Sequence, residues 1–290
     1  MGQYDFVDFS EIRKIRKENP NYRIIDNPEA DNKNCFIFFS GNGIYYPNTE
    51  EVFDEVIVKN DRYEWENIAK SPLINKNCAR IIFVRDVFKQ WYVEGISEEN
   101  NSIEKVFELL KKLTDGYAIE TCGNSAGGYA AVLFGCLLKA KRIFTVSGQF
   151  FLPEPDVSRG LLLNHRNDSE YNRWYNLKNL VEYYAGKIVY IFPAKCQQDK
   201  NQYNFIKDVA NICFVPVNSA SHGMGLMNLN YQYLFFNDSN RFENFLATSE
   251  KIKNIGGGYR RLDLLYKTIG FFEATKVVFK IVDRKIRYKK

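Results

Sequence analysis

Residues 117–133 read Tyr-Ala-Ile-Glu-Thr-Cys-Gly-Asn-Ser-Ala-Gly-Gly-Tyr-Ala-Ala-Val-Leu, and this stretch decides the fold. A β-forming run from Tyr117 to Cys122 meets Gly123-Asn124-Ser125-Ala126-Gly127-Gly128, and an apolar helix-forming stretch follows at once. This is G-x-S-x-G in the setting the pattern requires: strand, tight turn, helix. The spacing has a chemical reason. A serine hydroxyl is a weak nucleophile until it is exposed on a sharp turn beside a base. Gly123 and Gly127 flank that turn, where a Cβ would collide with neighbouring backbone. The N–H groups and positive dipole end of the following helix face the oxygen on which negative charge would develop.

Short apolar runs alternate with helical patterns on either side of this turn. Tyr22–Ile25, Cys35–Phe39, Arg80–Val84, Ile143–Val146, Ile188–Phe192 and Ile212–Val217 read as strands. In Asn101–Leu113, Ile103, Val106, Phe107, Leu110 and Leu113 recur at helical spacing, with Ser102 as a cap. A second helix runs from Ala126 to about Lys139, and helices are expected beyond residue 238. The alternation predicts an α/β sandwich: a mostly parallel central sheet with helices on both faces. Residues 149–186, polar and aromatic, interrupt the rhythm and are expected to form a lid-like insertion.

At 290 residues, with 45% hydrophobic and 26% charged residues, the chain suits a globular α/β domain. The N-terminus is charged and lacks the apolar core of a signal peptide. No apolar run approaches the ~18 residues of a membrane span. A cytoplasmic protein is expected. The six cysteines have no ligand-like spacing and read as reduced core residues, and with two histidines in the chain no metal site is expected. Charge is uneven. Residues 259–290 hold ten Lys/Arg against Asp263, Glu273 and Asp283, which makes the segment +7 and leaves −2 of the chain's +5 on residues 1–258. The expected organisation is therefore a catalytic domain over 1–258 and a basic helical extension over 259–290. That extension reads as a solvated helix face, as an attractor of an anionic polymer or phosphorylated donor, or as a peripheral contact with an anionic membrane surface. Nucleic-acid binding is disfavoured, because no recognition module accompanies the charge.

A serine nucleophile needs a base, an orienting acid and an oxyanion hole. His222 follows the last core strand in the small-residue loop Asn218–Gly225 and is the candidate base. Its competitor is His165, inside the lid-like segment. Asp199 is the first carboxylate after Lys187–Pro193 and the candidate acid, with Asp208 as runner-up in an expected helix over Tyr203–Ala210. The oxyanion hole is expected to combine the N–H of Ala126 with that of Asn42, in Phe39-Ser40-Gly41-Asn42-Gly43.

The elbow and the chain order Ser125, Asp199, His222 resemble the α/β-hydrolase superfamily over about residues 20–245. Many members carry His-Gly where this chain has Ser40-Gly41, a departure that keeps the glycine. The run Arg85-Asp86-Val87-Phe88-Lys89-Gln90-Trp91-Tyr92 is similar to a subgroup of bacterial relatives found with surface-polysaccharide biosynthesis, some of them O-acetyltransferases. That resemblance implies acyl transfer through a Ser125 acyl-enzyme, with no bound cofactor and acetyl-CoA as co-substrate. The acceptor would be a capsule or surface carbohydrate, such as an anionic polysaccharide. Water as acceptor would make the chain a carboxylesterase or sugar deacetylase. A non-catalytic assembly or secretion partner that keeps the fold is the reading from another class. Tyr45, Tyr46 and Trp91 are candidates for stacking on sugar faces, and Arg85 for the cleft mouth. The alternatives are half-buried aromatics, with Trp91 in the core, and a local Arg85–Asp86 ion pair.

Overall fold

A computed structural model describes residues 9–71, 74, 77–152, 173–223, 226, 228–235, 240–249 and 256–287. Seven strands form one sheet: β1 (Tyr22–Asp26), β2 (Asn34–Phe39), β3 (Arg80–Val84), β4 (Ala118–Asn124), β5 (Arg142–Val146), β6 (Lys187–Pro193) and β7 (Ile212–Val217). Their spatial order is β1-β3-β2-β4-β5-β6-β7. Every pairing is parallel except β1 with β3 at the edge, which is antiparallel.

The strands are near-continuous apolar runs because both faces of the sheet are covered. Alternate residues divide between two cores, as the period of two requires. Cys35, Ile37 and Phe39 of β2 join Ile188, Tyr190 and Phe192 of β6 on one face. Helices α4 (Ile103–Leu113) and α5 (Ala126–Leu137) cover that face through Ile103, Val106, Leu110 and the whole buried length of α5. Phe36 and Phe38 of β2 and Val189 and Ile191 of β6 point to the other face. There they meet Trp65 and Ile68, from the start of α3 (Glu66–Ala69), Tyr231 and Phe235 of α8 (Asn228–Phe235), and Phe242 of α9 (Asn240–Ser249). Ser102 caps α4 as expected, its hydroxyl accepting the Lys105 N–H at 3.3 Å. Ahead of β1 lies α1 (Ser10–Glu18), and α2 (Glu50–Phe53) runs into a short π-helical turn, Asp54–Lys59.

Of the lid-like segment, residues 153–172 and with them His165 lie outside the described residues. Its flanks belong to the main core. Phe150, Leu152 and Leu177 are buried, as is Val181 on the short α6 (Lys178–Glu182). The side chain of Gln202 holds the Phe150 and Phe151 backbone from the next helix, α7 (Gln197–Ile206). That helix starts six residues earlier than the sequence pattern predicts. Asp199 therefore sits in its first turn, and Asp208 lies past its end, exposed.

The basic extension begins inside the body. Tyr259 exchanges hydrogen bonds with the end of β7, through Pro216 O and the Asn218 N–H. Leu264 and Leu265 of α10 (Arg261–Ile269) are fully buried. The last helix, α11 (Phe271–Arg287), leaves Phe272 and Phe279 exposed. Among the described residues no helix is long and apolar enough to cross a membrane.

Candidate active site

The carboxyl ends of parallel strands are where an α/β sheet presents loops to a ligand, and the three expected side chains meet there. Ser125 separates β4 from α5 with φ 54° and ψ −117°. This left-handed conformation is strained for a residue with a Cβ, and such strain collects at functional sites. Its neighbours make the turn possible. A Cβ on Gly123 would lie 1.9 Å from Gly127 O, and one on Gly127 would lie 2.3 Å from Phe39 O. No side chain fits either position, so the turn and the end of β2 are pressed together.

Ser125 Oγ lies 2.9 Å from His222 Nε2, and His222 Nδ1 lies 2.9 Å from Asp199 Oδ2. With the ring proton on Nδ1, His222 donates to Asp199, and its Nε2 lone pair accepts the Ser125 hydroxyl. Asp199 is 1% exposed. The His222 loop is pinned by Ser147, a residue that sequence reasoning passed over. Its hydroxyl accepts the Gly223 N–H at 3.2 Å and donates to Gly223 O at 3.1 Å. Ser147 follows β5 with φ 48°, a backbone state that no sequence period announces.

The loop after β2 runs against the serine turn, since a Cβ on Gly41 would lie 2.5 Å from Asn124 O. The N–H groups of Asn42 and Ala126 find no acceptor among the described residues. Asn42 is held from behind, its amide donating to Lys89 O at 3.1 Å. The segment carrying Lys89 is contorted: Lys89, Trp91 and Tyr92 all have positive φ. Asp86 holds it in shape by accepting the N–H groups of Phe88, Gln90 and Tyr92. Tyr92 in turn donates its hydroxyl to Ser40 O.

Three buried charged groups support this loop pair. Glu64 Oε2 accepts the Gly41 N–H at 2.8 Å, and burial pushes its carboxyl up to about 7. Burial likewise raises Asp86 to about 6 and lowers Lys89 to about 7. Lys89 Nζ donates to Tyr45 O and Asn48 Oδ1 and sits 3.5 Å from the Tyr45 ring centre. Glu64 yields a signed pH prediction. Its folded value lies above the ordinary carboxylate value of 4.5, so between about 4.5 and 7 the folded state binds more protons than the unfolded state. Its contribution to stability therefore falls as pH rises through that window, by up to about 1.4 kcal/mol per unit. Urea melts from pH 4.5 to 7 should show a flatter dependence in Glu64→Gln, which keeps an acceptor for Gly41. Equal slopes in the two proteins would exclude Glu64 as the source.

Two of the expected substrate residues are placed elsewhere. Arg85 is 0% exposed. It donates to Asn21 Oδ1 and Arg62 O, pairs with Asp61 at 2.8 Å, and stacks on Tyr63. Successive residues at a strand end point to opposite sides, so Arg85 meets neither the cleft nor Asp86. Tyr45 is 1% exposed, with its hydroxyl on Val87 O and its ring beneath Lys89, so it has no free face. Trp91 is 7% exposed, packs in the core and donates to Gln149 Oε1, while Tyr46 is 54% exposed and keeps an open ring. Cys196, expected in the core, is half-buried, and its sulfur comes within 4.8 Å of donor atoms of Asp199 and His222.

The sheet order, the strained serine between β4 and α5, and a histidine loop after the last strand define the α/β-hydrolase fold. No protein-family model matches the chain, and a search of curated proteins finds no match. Among solved structures it is similar to the capsule O-acetyltransferase of Neisseria meningitidis serogroup A. That likeness is at 14% identity and TM-score 0.50, covering 70% of this chain and 85% of that one. It is also similar to a lipase-esterase related protein from Clostridium acetobutylicum, at 11% identity and TM-score 0.45, over 70% and 92% of the two chains.

Proposed function

We propose that the chain is a serine acyltransferase that moves an acetyl group from acetyl-CoA to a hydroxyl of a carbohydrate, by way of an acetyl-enzyme on Ser125. The observation that carries this reading is the continuous hydrogen-bond chain Ser125–His222–Asp199, with the serine on a strained turn. Ser125 Oγ attacks the thioester carbonyl while His222 Nε2 takes its proton. The oxyanion is received by the Asn42 and Ala126 N–H groups, and Asp199 stabilises the imidazolium. Collapse expels the CoA sulfur, which takes the proton back from His222. A sugar hydroxyl then enters, gives its proton to His222 and attacks the acetyl-enzyme, which regenerates Ser125. The acceptor decides the outcome, because the same acyl-enzyme yields an ester or an acid according to which hydroxyl is positioned.

The carbohydrate acceptor is supported by the Arg85–Tyr92 resemblance, by the open ring of Tyr46, and by the capsule O-acetyltransferase among the structures of similar fold. The test is incubation with acetyl-CoA and a panel of bacterial glycans, read by mass spectrometry. A glycan that gains the mass of one acetyl group per modified hydroxyl supports the reading. Release of acetate and CoA with every glycan left unchanged would make the enzyme a hydrolase.

The basic 259–290 segment supports an anionic acceptor polymer. Neutralising Lys285, Arg287, Lys289 and Lys290 is expected to raise KM for an anionic glycan and leave KM for a small ester unchanged. The wild-type KM for the glycan should also rise with salt, since exposed charges are screened over about 8 Å at physiological ionic strength. Identical glycan KM values and identical salt responses would reduce the segment to a solvated helix.

A further inference from the structure

We propose that Cys196, Asp199 and His222 form an inhibitory site for a thiophilic divalent cation, zinc by its donor set. One donor atom from each residue lies within 4.8 Å of the other two. Thiolate, imidazole and carboxylate are the ligand types that tetrahedral zinc takes, at about 2.0–2.3 Å. A sulfur and a nitrogen among three donors disfavour magnesium and calcium, which take oxygen. Bond lengths of that size separate tetrahedral ligands by roughly 3.3–3.6 Å. The Asp199–His222 pair at 2.9 Å must open slightly, and any separation near 4.8 Å must close.

A second observation concerns the acid itself. Asp199 is 99% buried, and its Oδ1 meets no well-aligned donor among the described residues, the Cys196 thiol being a neighbour that interacts with this carboxylate. A buried carboxylate oxygen left unpaired is costly, and its neighbours ordinarily satisfy it. A cation held by this carboxylate would remove that cost. Cys196 and His222 are both half-buried rather than sealed, so the cluster has a route to solvent. The other five cysteines are buried and do not compete for the metal.

The consequence for chemistry, which rests on the acyl-transfer reading, lies in the imidazole tautomer. In the resting site Nδ1 carries the ring proton and Nε2 offers its lone pair to Ser125. Zinc on Nδ1 takes that lone-pair position, so the neutral ring must carry its proton on Nε2. His222 then has no basic nitrogen facing Ser125. Cys196 loses its thiol proton to solvent on binding, and the ring proton moves from Nδ1 to Nε2. One proton is therefore released per metal bound, and affinity rises with pH until the thiol is deprotonated in the free protein.

Two experiments test the site. Hydrolysis of a chromogenic ester is titrated with zinc chloride, with chelator reversal, in wild type and in Cys196→Ser. Cys196→Ser is expected to keep wild-type turnover without metal and to need at least about tenfold more zinc for half-inhibition, given that even outer-shell changes cost about 10–100-fold in metal affinity. Half-inhibition of both proteins at the same zinc concentration would overturn the proposal. The second experiment needs no activity. Cobalt(II) is added to Ser125→Ala and to Ser125→Ala/Cys196→Ser, and the near-ultraviolet thiolate-to-cobalt charge-transfer band is recorded. The band is expected in the first protein and not in the second. Its absence from the first, or its persistence in the second, would also overturn the proposal. A chain that shows the cobalt band but turns over no ester keeps the metal site and loses the acyl-transfer reading.

Discussion

Ser125→Ala and His222→Ala are each expected to abolish turnover while leaving the fold intact. A Ser-His-Asp triad acts as one unit, so under the proposed mechanism losing the nucleophile or the base alone should cost on the order of 10⁵–10⁶ in kcat. The hydroxyl and the imidazole meet at 2.9 Å in a part-buried setting, and no other described residue offers a second base at that serine. Ester turnover, circular dichroism and thermal melts are the measurements. Residual activity above about a tenth in either variant would remove that residue from the chemistry, since triad losses are typically far larger. A fluorophosphonate probe adds a readout independent of substrate. Wild type should label at Ser125 and Ser125→Ala should not, whereas a scaffold that merely keeps the fold would label in neither. Backbone strain supplies a further discriminator. Ser125→Ala retains a Cβ at φ 54° and keeps the strain, but Ser125→Gly releases it. The glycine variant should be inactive yet at least as stable as wild type, because the strain of about 1–3 kcal/mol outweighs the roughly 0.5–1 kcal/mol of extra chain entropy a glycine loses on folding. A glycine variant markedly less stable than wild type would show that the turn stores no strain.

Much of this architecture is legible before any coordinate is known, because it depends on signals carried within a few residues. Cys35–Phe39 and Ile188–Phe192 read as strands since both faces of a covered sheet need apolar residues. The elbow reads as an elbow since only glycine fits at 123 and 127. What escapes the sequence is set by contacts between distant segments. The antiparallel pairing of β1 with β3 follows from which sheet edge is free, not from the residues of Tyr22–Asp26 themselves. Arg85 reads as a cleft residue because it follows a core strand, but its direction is fixed by Asn21, Asp61 and Tyr63, well removed in sequence. Cys196 reads as one more buried thiol; the first turn of α7, which starts earlier than the pattern predicts, brings it beside Asp199, and the His222 loop closing onto α7 adds the base. Glu64 carries no motif, and Lys89 lies inside the Arg85–Tyr92 run without a role that the run announces. Their importance lies in being buried behind Gly41 and Asn42, which is a property of three loops packed together.

Asp199→Asn is expected to lower kcat by an amount approaching ~10⁴ while preserving the structure. Asp199 Oδ2 accepts from His222 Nδ1 at 2.9 Å and so keeps the ring proton on the side away from Ser125. An asparagine of the same shape can turn its NH₂ group towards Nδ1. That nitrogen must then accept, the ring proton moves to Nε2, and His222 can no longer take the serine proton. The imidazolium formed during attack also loses its counter-charge. Stability should move the other way or not at all. The carboxylate is almost fully buried and one of its oxygens meets no well-aligned donor among the described residues, so exchanging it for a neutral amide removes a costly buried charge. Asp208→Asn is the matched control. Asp208 is exposed beyond the end of α7 and makes no hydrogen bond to His222, and its loss should be nearly silent in both turnover and melting. The decisive comparison is kcat for the two variants on one ester at one pH, alongside their thermal midpoints. A large loss in Asp208→Asn with wild-type turnover in Asp199→Asn would transfer the acid role to Asp208. It would also mean that the His222 loop adopts a different position during turnover. A loss in Asp199→Asn accompanied by a collapse in melting temperature would instead make Asp199 a structural residue of α7.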